Sequence, residues 1–261
     1  MLNKLIKYDF KWINKVMYVY FILLGLISVA IKIVENMDQS LLLVIVDKIL
    51  VSMFIGCTIS TVITCIMRVW ARFINNIYKD ESYLTHTLPV TKSQIFNSKI
   101  IAGSISLLMS ALVIAACIAI VFINKDTIES LKVMYQSLVD VYNGVFAVGM
   151  IIGFFILIAL EIIYFMMAGI LGIVIGHRSN NFKMIKSIVV GIGSYGFLST
   201  MSFIIIYIIS THTEYDIIGN GFPTINYIKV LGILSLVIYL VYDVGYYLIA
   251  KRILNKGVNV E

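Results

Sequence analysis

Six mainly apolar stretches of about 20 residues or more recur along this 261-residue chain, at about 17–34, 49–70, 100–123, 143–175, 186–209 and 226–250. A helix needs roughly 20 such residues to cross the hydrocarbon core of a bilayer. With 61% hydrophobic and 13% charged residues, the chain carries more apolar surface than a water-soluble domain can bury, whereas lipid accepts it. Lipid also offers the backbone no hydrogen-bond partners, which leaves helices as the spanning element for segments of this length. The expected fold class is therefore all-α: a polytopic membrane protein with six transmembrane helices in a single domain, 1–261. Both prolines, Pro89 and Pro223, fall between the stretches. The first stretch is not read as a cleaved leader, because it is too long and "SVAIKIVENM" offers no small-residue cleavage site. Cys57, Cys65 and Cys117 all lie inside apolar runs and imply buried or lipid-facing thiols, not a disulfide framework.

Orientation follows from the lysines and arginines, which concentrate on the cytoplasmic side of spanning helices. With the N-terminus inside, inner segments hold Lys4, Lys7, Lys11, Lys15, Arg68, Arg72, Lys79, Lys92, Lys99, Arg178, Lys183, Lys186, Lys251, Arg252 and Lys256, fifteen of the twenty basic residues. Asp9, Asp80, Glu81 and Glu261 are the only four of the fourteen acids on that side. The net charge of +6 is thus an inner-face property suited to an anionic leaflet, and not a signal for nucleic acid. Both termini are expected in the cytoplasm, with the chain in the cell membrane.

Residues 2–15 place Leu2, Leu5, Ile6, Phe10 and Ile13 at helical spacing, with Lys4, Lys7, Lys11 and Lys15 on the other face. This predicts an interfacial amphipathic helix over 1–16, lying among the headgroups of the lipid bilayer; the alternative is a cytoplasmic extension of the first span. A second amphipathic helix is predicted outside, at 126–142, where Asp126 and Glu129 have capping-box spacing. In the last outer loop, Asn220-Gly221 with Pro223 marks a turn.

Motifs for soluble chemistry are absent: there is no GxxxxGK[ST], HExxH, GxSxG or CxxC. "GIGSYG" at 191–196 matches a dinucleotide fingerprint in letters, but it sits inside a predicted span with no preceding strand. Small residues there, and at Gly149/Gly153 and Gly172/Gly176, instead suit close helix packing. His86, His177 and His212 lack metal-ligand spacing and read as solvated loop residues.

Two carboxylates stand where charge is costly, since a central acid costs about 2.5–3.5 kcal/mol on insertion scales. Glu161 lies near the middle of the fourth stretch and Asp243 well inside the sixth. Each is either a functional group facing the protein interior or a packing hydrogen bond. For Glu161 the packing partner would be a neighbouring Tyr or Ser, and Asp243 could approach Lys251 or Arg252. Thr58, Thr61 and Thr64 on the second span, with Ser187, Gly191, Ser194 and Ser202 on the fifth, form stripes at helical spacing. Such stripes line a wet path or satisfy helix backbones.

The segment "KDESYLTHTLPVTKSQIF", 79–96, is dense in polar residues yet lies between two membrane-grade stretches. Pro89 fixes φ and excludes a preceding helix, and Thr91 with Gln94 has capping-box spacing, so a helix is expected to start at about Thr91 and run into the third span. Lys79–Leu88 is then a hinged projection. "ESYLTHTLPVTKSQIFNSKIIAG", 81–103, resembles the segment between the second and third spans in permease subunits of export-type (type 2) ABC transporters. There an acidic residue, Tyr-Leu, a short polar step, Leu-Pro-Val and a basic amphipathic helix lead into the third span. The likeness is close over about 23 residues, and the six-span layout agrees along the whole chain. The resemblance implies that 79–98 is a cytoplasmic coupling segment, with Glu81, Tyr83, Leu84, Leu88 and Pro89 docking on an ATPase, and that the second and fifth spans border the route. Thr58, Thr61, Thr64, Glu161, Ser194 and Ser202 are then candidate pathway residues. The short outer turn at 210–225 departs from relatives with re-entrant outer helices.

Taken together, the expectation is a non-enzymatic permease subunit of an ATP-driven exporter, moving an amphipathic or hydrophobic substrate such as a peptide by alternating access. It needs no cofactor of its own. ATP and Mg would sit on two partner ABC ATPase subunits, and a second permease copy or a paralogue would complete the pore. The alternatives from other classes are an intramembrane enzyme using Glu161 and Asp243, and a membrane sensor or anchor.

Overall fold

The computed structural model describes residues 1–37, 40–79, 81–87, 89–142, 144–179, 181–212, 217–218 and 222–256. Among the described residues eight helices follow one another: α1 Leu2–Glu35, α2 Leu41–Ile77, α3 Ser82–Thr87, α4 Lys92–Phe122, α5 Lys125–Tyr142, α6 Gly144–Gly176, α7 Lys183–His212 and α8 Ile225–Asn255. Six of them, all but α3 and α5, are long and apolar enough to cross a membrane, so the protein is an all-helical, multi-pass membrane protein. The two-residue strands β1 (Ile217–Ile218) and β2 (Phe222–Pro223) pair antiparallel just before α8. The Asn220-Gly221 turn read from the sequence lies outside the described residues.

The helices begin where local chemistry dictates. Pro89 separates α3 from α4, and Thr91 caps α4 as expected. Its hydroxyl accepts from the Gln94 amide at 3.3 Å, while the Gln94 side chain accepts from the Thr91 amide at 3.2 Å. This reciprocal pair satisfies two of the N–H groups that a helix start leaves unpaired. Thr224 caps α8 by accepting from the Tyr227 amide. The amphipathic helix expected at 126–142 is present as α5, but it begins at Lys125, so Asp126 stands in its first turn and does not cap it. Residues 2–15 keep Lys4, Lys7, Lys11 and Lys15 exposed, yet they run without a break into the first span as the opening turns of α1. No Gly or Pro interrupts them.

The chain divides into two compact units. The first comprises 1–76 and 87–134 and is built on α1 packed against α4, with most of α2. Its apolar core joins Leu24 and Ile31 of α1, Phe54 of α2, and Cys117 and Val121 of α4. At one end, Lys32 donates to Glu35 at 3.0 Å and to the Ile123 carbonyl at 3.3 Å, and also bonds Asn124, which in turn donates to Glu35. Near the opposite ends of α1 and α4, Asn14 donates to the Ser106 hydroxyl at 2.7 Å.

The second unit comprises 77–86 and 135–261, in which α6 packs on both α7 and α8. Only 6% of the most apolar window of each of these three spans is buried by protein. Apolar burial is concentrated elsewhere on these helices, as at Met166, Met167, Ile170 and Ile173 of α6, and lipid-embedded helices also associate through close backbone approach and polar contacts. Gly172 and Gly176 supply the approach. A Cβ on Gly172 would lie 2.6 Å from the Gly191 nitrogen and 2.7 Å from its Cα, and one on Gly176 would lie 2.7 Å from the Ser187 Cα. Gly149 and Gly153, which share the spacing, meet nothing within 4 Å. The α6–α7 turn holds Phe182 at φ 55, a left-handed conformation that is strained for a bulky side chain.

Gly176→Ala or Gly172→Ala should therefore push α6 from α7 and destabilise the purified protein by about 1–3 kcal/mol, the usual cost of overpacking. Gly149→Ala should leave the melting temperature unchanged. Thermal unfolding in detergent followed by circular dichroism checks both, and equal effects at the two positions would refute this packing.

Candidate functional site

Asp9 anchors a charged cluster in the first unit. Although counted from the sequence with the inner-face acids, it is buried, at 2% exposure. Its Oδ1 accepts from Arg72 Nε at 2.9 Å and from Lys99 Nζ at 2.7 Å, and its Oδ2 accepts from the Ser98 hydroxyl at 2.9 Å. Beside it, Arg68 lays its guanidinium over the Trp12 ring, 3.7 Å from the centroid, and donates to the Trp12 carbonyl at 2.6 Å. One signal for this site was present in the sequence. Asp9 stands four residues from both Leu5 and Ile13, on the apolar stripe of α1 and not on its lysine face.

The coupling segment expected at 79–98 folds into a short helix, α3, followed by the start of α4. This corrects the expectation that Pro89 excludes a preceding helix, because α3 ends at Thr87 and proline restricts only the residue immediately before it. In the second unit its base is fixed by Tyr78, whose ring stacks on His177 at 4.4 Å between centroids. Both are buried, at 3% and 1%, so His177 is a packed residue and not the solvated loop histidine read from the sequence. Its Nδ1 donates to the Ile173 carbonyl at 3.0 Å, with the Ser187 hydroxyl 3.4 Å away. Burial also pushes the Tyr78 phenol above its ordinary range, which keeps that ring neutral. Ser82 and Thr85 turn inward, at 2% and 5% exposure, while Tyr83 and Leu84 stand 77% and 68% exposed. Glu81 is half-buried and Pro89 exposed. Leu88, and the side chains of His86 and His212, lie outside the described residues.

Glu161 of α6 occupies a cluster of tyrosines in the second unit. Tyr195 of α7 donates to its Oε1 at 2.6 Å, the tyrosine bond that the sequence reading held as one of two options. Tyr164 packs at the centre, with Tyr195, Tyr239, Tyr242 and Tyr246 at centroid distances of 5.1, 5.8, 5.9 and 5.6 Å, and its hydroxyl donates to the Tyr195 carbonyl at 3.0 Å. Asp243 of α8 is within electrostatic reach of Glu161. Both of its carboxylate oxygens are buried without a hydrogen-bond partner. The basic partner expected for it is turned elsewhere: Lys251 donates to the Tyr247 hydroxyl at 3.1 Å. The structure thus corrects that reading, because Asp243 lies two turns before Lys251 and among aromatic neighbours. The five tyrosines come from three helices, and no local sequence pattern gathers them.

The hydroxyl stripes are spent on their own helices. Thr58 and Thr61 donate to the carbonyls four residues earlier, at 2.8 and 2.7 Å. Ser194 donates to the Gly191 carbonyl at 3.0 Å and Ser202 to the Leu198 carbonyl at 2.8 Å. Such back-bonding satisfies a hydroxyl in lipid without any wet path. Thr64 is half-buried. The threonines belong to the first unit, and Glu161, Ser194 and Ser202 to the second. Among the described residues no group of three or more His, Cys, Asp or Glu could hold a metal ion. The chain matches no family model, no curated protein and no solved structure.

Removing the Asp9 carboxylate leaves Arg72 and Lys99 facing one another out of water, a change that costs about 3–5 kcal/mol for buried pairs. Asp9→Ala should therefore sharply lower the unfolding midpoint in detergent. Adding Lys99→Met should recover part of the loss. A double variant no more stable than Asp9→Ala would show that the lysine is not held by this carboxylate.

Proposed function

We propose that the chain is the membrane-spanning permease subunit of an ATP-driven exporter of the type 2 ABC class, with both termini in the cytoplasm. The observation that carries the reading is the build of α3. A six-residue helix turns Ser82 and Thr85 inward and presents Tyr83 and Leu84 outward. It follows a buried Tyr78–His177 stack and precedes the capped start of α4. Coupling between subunits requires an element that both partners can bias. A short helix seated on packed residues transmits force better than a loose connector. An exposed tyrosine beside an exposed leucine also has the chemistry of an anchor for a partner's groove.

In this reading two ABC ATPase subunits supply ATP and Mg, since this chain has no phosphate-binding loop, and a second permease copy or a paralogue completes the pore. The substrate is an amphipathic or hydrophobic molecule, a peptide being the leading candidate. Net inner-face positive charge suits a bacterial plasma membrane.

Affinity-purified full-length chain should bring an ATP-hydrolysing subunit with it. Tyr83→Ala combined with Leu84→Ala should lower that recovery by roughly tenfold or more, as for loss of interface anchors, while leaving helix content and melting temperature unchanged. Lys125→Ala with Lys132→Ala, on the other side of the membrane, should not alter recovery. A double variant that retains the ATPase and exports like the parent would reduce α3 to a connector.

A further inference from the structure

We propose that Asp243, Glu161 and Tyr246 form a binding site for a dehydrated monovalent metal cation within the α6–α7–α8 bundle. Asp243 and Tyr246 stand three residues apart on α8 and so share a face. Tyr246 is only 4% exposed, yet its hydroxyl, like both Asp243 oxygens, is buried without a hydrogen-bond partner. Its ring stacks on Tyr164 at 5.6 Å and 10°, which directs it into the cluster that holds Glu161. Three orphaned oxygens therefore share one face of α8, and the Tyr246 ring packs on Tyr164, which stands three residues from Glu161 on α6.

Among the described residues, no base forms an ion pair with either carboxylate. Glu161 of α6 is the charged group that acts on Asp243, and the titratable groups of the surrounding cluster are Tyr164 from α6, Tyr195 from α7, and Tyr239, Tyr242 and Tyr246 from α8. Lys251 bonds Tyr247 instead. A proton on Asp243 would supply a single donor and leave the remaining oxygens unsatisfied. One cation can contact carboxylate and phenol oxygens together, and an oxygen-only donor set selects hard ions over soft ones. Magnesium sheds its waters reluctantly, and calcium takes 6–8 oxygens. Two carboxylates and a few phenols in an apolar bundle suit an ion of lower charge and smaller demand. Glu161, already holding the Tyr195 donor, would complete the site from the opposite helix. The site stands whether or not the chain serves as a permease.

The test is thermal unfolding of the purified full-length chain in detergent at constant ionic strength and pH, with NaCl or KCl replacing N-methylglucamine chloride. Binding to the folded state raises the midpoint with ion concentration, following RT ln(1 + [L]/Kd). A saturable rise with sodium, potassium or both is expected, and comparing the two salts identifies the ion. Asp243→Asn should abolish the rise. Glu161→Gln and Tyr246→Phe, which keep side-chain volume nearly constant, should shift its midpoint concentration by roughly tenfold, and they keep the test decisive if Asp243→Asn fails to fold. A midpoint that is the same in all three salts, one that responds only to pH or only to calcium, or an unchanged response in Glu161→Gln and Tyr246→Phe would each overturn the proposal.

Discussion

Lipid accepts no hydrogen bonds, and nearly every feature of this structure follows from that constraint. Backbone groups are satisfied by long helices, and side-chain hydroxyls are satisfied by the carbonyl three or four residues earlier, as at Thr58, Thr61, Ser110 and Ser202. Charged groups find partners across helices, as Asp9 does with Arg72 and Lys99. Buried polar atoms without a partner remain on Asn14, Arg68, Asp243 and Tyr246, and the last two stand together on one face of α8.

The two units use the constraint differently. In the first, α1, α2 and α4 combine an apolar core around Leu24 and Phe54 with a buried ionic centre at Asp9. Isolated charges would be expensive there, and three donors on one carboxylate offset much of that expense. In the second, the most apolar windows of the spans are barely covered by protein, and the buried apolar residues gather on other turns, as at Met166, Met167, Ile170 and Ile173 of α6. Contact depends on Gly172, Gly176 and Gly191 bringing backbones together and on tyrosines that pack by their rings while bonding by their hydroxyls. The Tyr78–His177 stack extends the same device to the base of α3.

Legibility differed from residue to residue for physical reasons. Thr91, Gln94 and Pro89 act within one turn of chain, so the start of α4 could be read directly. Gly172 and Gly149 share a spacing, but only one of them faces a neighbouring helix. His177 was read as solvated because the Tyr78 ring it stacks on lies on a distant part of the chain, and the ion pairs of Asp9 were not foreseen because Arg72 and Lys99 lie 63 and 90 residues away. For Asp243, Lys251 is near in sequence, but helical phase and the tyrosine cluster turn the two apart.

Composition and the length of the apolar runs were enough to determine a six-span helical membrane protein, because the thickness of the bilayer and the cost of an unpaired backbone leave so few other solutions. Pro89 and the Thr91 cap settled where α4 begins. Which polar groups meet was decided by tertiary structure alone. Asp9 between two cations, Glu161 on Tyr195, and Asp243 beside Tyr246 with its oxygens unpartnered all depend on which face each helix turns to its neighbours, and in lipid that choice rests on close contacts between residues far apart in the chain.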